Sequence, residues 1–115
     1  MLNKIKNDMK IEYYSEFDDN DFPIVKKLDI EIDESLPITM LLESIHKLTK
    51  IPKYREIKWD GKVEKIACSY YFKNSNEPYD FEMIMDLNKP ISDFPKKGSK
   101  EELSLFIDKN TGLVN

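Results

Sequence analysis

The 25 residues from Leu28 to Pro52, LDIEIDESLPITMLLESIHKLTKIP, change their hydrophobic period midway. Leu28, Ile30 and Ile32 alternate with Asp29, Glu31 and Asp33, the period of a strand with one wet face. Ile38, Leu41, Leu42, Ile45 and Leu48 then recur at helical spacing. Pro37 stands where a first helical turn tolerates it, with Ser35 ahead of it as a cap candidate. The helix has to bury its stripe on a sheet, and that strand belongs to the sheet.

The same rules divide the rest of the chain. Residues 1–8 are polar. Met9, Ile11, Tyr13, Ser15 and Phe17 alternate with Lys10, Glu12, Tyr14 and Glu16, which predicts a first strand. Asp18-Asp19-Asn20-Asp21 reads as a turn, and residues 24–33 as a second strand antiparallel to the first. The helix is expected over residues 37–50, ending ahead of Pro52. Residues 54–59 form a short strand, and Asp60-Gly61 a tight hairpin turn. Residues 66–73 and 79–87 read as two further strands. Residues 89–100 read as loop, broken by Pro90, Pro95 and Gly98. Leu103, Leu105 and Ile107 belong to a last strand, which Asn110-Thr111-Gly112 ends.

A chain of 115 residues suits a single domain spanning 1–115, with enough material for one core. Three glycines argue against a glycine-rich phosphate loop, and the net charge of −4 against a nucleic-acid partner. Cys68 is the only cysteine, so the chain has no internal disulfide, which fits a reducing compartment. No signal-peptide pattern opens the chain, and no run approaches the roughly 20 apolar residues of a membrane span. A cytoplasmic protein is expected.

Several short motifs resemble ubiquitin-like proteins. Lys50-Ile51-Pro52 is similar to the step after their helix. Trp59-Asp60-Gly61-Lys62 is similar to their glycine-containing turn, Ile91-Ser92-Asp93-Phe94 to their loop step, and residues 103–107 to their closing strand. Leu36-Pro37-Ile38 followed by Leu41-Leu42 resembles the small ubiquitin-like proteins of Gram-positive type VII secretion loci, the YukD/EsaB type. The resemblance covers roughly residues 9–59 and 88–108. It implies an α+β, ubiquitin-like β-grasp fold: a mixed sheet with one helix on one face, first and last strands side by side and parallel. This chain departs from that pattern by an inserted β-hairpin at about residues 62–87. It also lacks a terminal diglycine, since Gly112 is followed by Leu113-Val114-Asn115. Use as a conjugated modifier would therefore need processing.

Candidate chemistry is sparse. Cys68 falls mid-strand, where cysteine acts as a small apolar residue, and His46 is expected at the helix margin. The acidic cluster at residues 18–21 lacks the spacing of a calcium loop. No phosphate loop, nucleophile elbow or metal-ligand spacing is present, so no catalytic residue, metal or cofactor is expected.

The aromatics point elsewhere. Tyr14, Tyr71 and Phe106 are off-phase to the core positions of their strands. Either they form an exposed patch on the open sheet face, or the inserted hairpin folds back and buries them. The first arrangement predicts a non-catalytic module that binds another protein. Tyr14, Tyr71 and Phe106 would stand at its centre, with Glu12 and Lys73 as rim charges. The resemblance would make it an accessory of type VII secretion. The alternative is a small acidic inhibitor, an immunity or phage anti-defence protein, which would show a contiguous acidic surface from residues 18–21 through Asp29, Glu31 and Asp33.

Overall fold

A computed structural model describes residues 7–77 and 79–109. Among these residues seven strands and one α-helix form: β1 (Asn7–Tyr14), β2 (Lys26–Ile32), α1 (Ile38–Thr49), β3 (Tyr54–Trp59), β4 (Lys62–Ala67), β5 (Ser69–Lys73), β6 (Phe81–Met83) and β7 (Leu103–Asp108). Two short 3₁₀ turns lie at Ile91–Asp93 and Ser99–Glu101. Five strands make a mixed sheet in the order β2-β1-β7-β5-β6. β1 and β7 run parallel, with Ile11 beside Leu103 and Tyr14 beside Phe106, while the other pairs are antiparallel. β3 and β4 make a separate two-stranded sheet.

The core follows the alternation. Met9, Ile11 and Tyr13 of β1, Ile30 and Ile32 of β2, and Leu103, Leu105 and Ile107 of β7 pack with Ile38, Leu41, Leu42 and Ile45 of α1 in one buried cluster. Each fully buried Ile or Leu contributes about 1.5–3 kcal/mol. Phe72, Ile84, Ile91 and Phe94 complete the cluster. The Ile91-Ser92-Asp93-Phe94 step thus serves packing, with Phe94 edge-on to Phe72 at 5.1 Å.

The helix begins differently from expectation. Ser35 does not cap it; its N–H and hydroxyl donate to Asp33 Oδ1, closing the turn ahead of the helix. The first helical amides, Ile38 N–H and Thr39 N–H, donate to the carbonyls of Lys89 and Leu87. The 87–91 segment therefore satisfies two of the four donors that a helix start leaves open. At the other end Lys50 takes a left-handed conformation, φ 61°, and its N–H bonds His46 O. Leu48, expected in the buried stripe, is exposed. His46 is instead buried, at 5% exposure, one turn after Leu42.

The hairpin set apart from the main sheet is not residues 62–87. It is Tyr54–Ala67, closed by the Asp60-Gly61 turn and at its base by Cys68 N–H donating to Lys53 O. The expected strand over residues 66–73 is broken at Cys68. Ile66 and Ala67 pair with Arg55 and Tyr54, whereas Ser69 onward pairs with β7. β5 and β6 thus belong to the main sheet. Residues 62–65 alternate weakly, which hid β4, and pairing with β3 supplies what local pattern did not. Only Phe81–Met83 of the expected 79–87 strand is regular. The turn at residues 18–21 forms as expected, with Asp18 Oδ1 accepting from the backbone N–H groups of Asn20 and Phe22. The expected end at Asn110-Thr111-Gly112 and the polar residues 1–6 lie outside the described residues.

Candidate functional site

The sheet face opposite the helix carries Glu12 and Tyr14 of β1, Lys27 of β2, Ser104 and Phe106 of β7, and Tyr71 and Lys73 of β5. They fall there because side chains alternate along each strand and the register aligns Glu12 with Lys27 and Ser104, and Tyr14 with Phe106, which also faces Tyr71. This face has two halves of unlike character.

One half is polar and covered. Lys27 Nζ donates to Glu12 Oε1 at 3.2 Å, to Glu102 Oε2 at 3.0 Å and to Ser99 Oγ at 2.8 Å. Ser104 Oγ donates to Glu12 Oε2 at 2.9 Å, and Ser99 Oγ to Glu12 Oε1. Burial pushes the Glu12 carboxyl up, but hydrogen bonds from Ser99, Ser104 and Lys27 outweigh this and hold it below the ordinary carboxylate value. Lys27 is correspondingly raised, first by its bond to Glu102. The segment running through Gly98 and Ser99 roofs this cluster, so Glu12 sits within a network instead of at a free rim.

The other half is aromatic. Tyr14 and Phe106 stack with ring centroids 4.6 Å apart, and Tyr71 stacks on Phe106 at 5.5 Å. Phe17 stands edge-on to both Tyr14 and Phe106 at 5.8 Å, and Phe81 edge-on to Tyr14 at 5.6 Å. The three off-phase aromatics read from the sequence therefore meet. Tyr14 is the sealed centre, at 8% exposure. Phe106 and Tyr71 are half-buried and Phe17 is 50% exposed. Burial raises the Tyr14 hydroxyl to about 12, with a further contribution from Tyr79. Met83, opposite Tyr71, extends the apolar surface, and Lys73, opposite Phe81, is half-buried at its margin.

No hairpin over residues 62–87 folds back onto these rings: β6 lies in the same sheet and sets Phe81 edge-on to Tyr14, while Phe106 and Tyr71 stay half-buried. Phe17 shares the phase of Met9, Ile11 and Tyr13 in the sequence, which hid its place in this cluster. Strand β1 ends at Tyr14, and Phe17 forms an isolated bridge with Pro23, which turns its ring to the opposite face. The break carried no local signal beyond the polar Ser15-Glu16.

His46, Tyr70 and Cys68 lie at the C-terminal end of the helix. The Ile51 carbonyl can only accept, so His46 Nδ1 carries the proton and donates to it at 2.8 Å; Nε2 accepts from the Tyr70 hydroxyl at 2.6 Å. The ring thus ties the helix to the Ile51 step that follows it and, through Tyr70, to β5. Burial raises the Cys68 thiol above its ordinary value, and the thiol donates weakly to Pro52 O at 3.4 Å. Such a thiol is a poor nucleophile. Among the described residues no group of three His, Cys, Asp or Glu side chains is arranged to hold a metal ion, and no helix is long and apolar enough to cross a membrane.

The outer surface of β1 and β2 is mixed in sign. Lys10 lies opposite Asp29, and Lys96 pairs with Glu34 at 2.9 Å. An open depression of about 630 Å³ there is lined by Asp8, Lys10, Asp29, Glu34, Lys96 and Lys100, among others. Comparison with family models, curated proteins and solved structures returns no match for this chain.

Proposed function

We propose that this chain is a non-catalytic protein-binding module of the ubiquitin-like β-grasp class, acting in the cytoplasm, and that it recognises its partner through the aromatic half of the open sheet face. The strand order β2-β1-β7-β5-β6, with a parallel central pair and one helix against one face, supports the fold reading. The observation that carries the functional reading is the stack of Tyr14, Phe106 and Tyr71, uncovered by the helix and edged by a half-exposed Phe17. Clustered, pre-packed aromatics are what binding hot spots are made of, because they bury area on contact at little entropic cost. Lys73 supplies a margin charge.

A component of a type VII secretion apparatus is the first partner to try, on the strength of the sequence motifs. The inhibitor reading is less favoured, because Lys10, Lys27 and Lys96 interrupt the acidic stretch it requires. The test is calorimetric titration of a partner first captured from native lysate. Alanine at Tyr71 and at Phe106 should each weaken binding by about 2 kcal/mol or more, while Glu31→Ala on β2 changes it little. Equal binding by all three proteins would remove the aromatic face from the function.

A further inference from the structure

The β3–β4 hairpin makes a second surface, independent of the aromatic face. Among the described residues it pairs with no other strand, and Tyr54, Trp59 and Val63 are exposed on it. A lone two-stranded hairpin is marginally stable in water. Its loop is two residues, with Asp60 at φ 49° and Gly61 at φ 73°, the signature of a type I′ turn. In that turn the closing pair, Trp59 and Lys62, exchange backbone hydrogen bonds. By alternation Ile57 and Arg55 also bond toward β4. The N–H and C=O groups of Glu56 and Lys58 therefore point outward along the free edge of β3.

We infer that this free edge pairs with the same edge of a second copy of the chain, antiparallel about a two-fold axis through Ile57, joining two hairpins into one four-stranded sheet. The sequence of β3, Tyr-Arg-Glu-Ile-Lys-Trp, is self-complementary in that register. Ile57 meets Ile57. Glu56 lies opposite Lys58 of the second copy, twice, with four backbone hydrogen bonds between them. Arg55 lies opposite Trp59, also twice, placing a guanidinium beside an indole. Trp59 is 47% exposed, so its ring has an interaction to gain.

The neighbouring two-fold registers are repulsive. An axis through Glu56 sets Glu56 against Glu56. An axis through Lys58 sets Lys58 against Lys58 and Glu56 against Asp60. Edge lysines ordinarily block sheet growth. Here each lysine has its counter-charge two residues away, so the edge excludes misaligned strands and admits one aligned copy.

The test is mass by sedimentation velocity across a dilution series of the full chain. The wild type should move from 13.6 kDa toward twice that mass. Glu56→Lys and Lys58→Glu should each weaken the dimer about tenfold or more, since two attractive pairs become repulsive. The doubly swapped chain should recover it, and the two single variants mixed together should form the heterodimer that neither forms alone. Both side chains are exposed, and an unchanged thermal midpoint establishes that the variants fold. A wild type monomeric at every concentration overturns the inference. So does a dimer indifferent to these reversals, including one dissolved instead by Phe106→Ala, which would assign the contact to the aromatic face.

Discussion

The two faces of the β1–β7 pair are built from alternate residues of the same strands, yet they obey different rules. On the helix side Ile11, Leu103, Leu105 and Ile107 have no exposed surface. Their neighbours in sequence, Glu12, Ser104 and Phe106, sit on a face that no helix covers. There burial is achieved piecemeal: a loop roofs the polar half, and aromatic rings shield one another in the other half. Aliphatic packing against a helix gives a face with one state and no spare surface. A self-stacked aromatic cluster keeps its outer rings available, which is what a binding face requires.

The largest break of this contrast is a pair of adjacent truncations. Leu105→Ala should cost about 2–5 kcal/mol of stability, because a fully buried side chain leaves a cavity the core cannot close. Phe106→Ala, one residue on, should cost distinctly less in chemical denaturation. Equal losses would mean that the open face is a second core.

A smaller effect tests the roof over the polar half. A Cβ at Gly98 would lie 2.8 Å from Glu102 O, 3.0 Å from Ser104 Cβ and 3.1 Å from Glu12 Oε2. Gly98→Ala should therefore destabilise by about 1–3 kcal/mol through overpacking. A neutral result would show that the roof lifts freely.

The smallest change in stability comes with the sharpest spectroscopic readout. Tyr14 and Tyr70 both ionise at about 12, and burial leads in both. Their folded values lie above the unfolded value of about 10, so the folded state holds their protons more tightly. The associated stability is complete below about pH 10 and is lost as pH rises through 12. Phe17→Ala uncovers one edge of the Tyr14 ring and leaves Tyr70, bonded to His46 on the other face, untouched. Ultraviolet titration should show one late tyrosine returning toward 10 and one staying near 12. Two unmoved tyrosines would show that Phe17 does not shield the cluster.

Much of this arrangement is readable one strand at a time. The switch of period between Ile32 and Ile38, the Asp60-Gly61 turn, and the off-phase positions of Tyr14, Tyr71 and Phe106 all follow from local pattern, because alternation alone tells which side a residue takes. Other features resist such reading. Residues 66–73 look like one strand and are two, because the pairing partner changes at Cys68 from β3 to β7. His46 looks marginal and is buried, because an acceptor on Ile51 and a hydroxyl on Tyr70 happen to converge on it.

Local chemistry thus settled the kind of each main element and the side on which its residues fall, since both depend on contacts only a few residues apart. Which strands became neighbours, that β1 and β7 run parallel, that Phe17 crosses to join Tyr14 and Phe106, and that the hairpin left outside the main sheet is β3–β4 were decided by tertiary packing. Those choices depend on partners distant in the chain, and no short stretch of residues carries the free energy that selects among them.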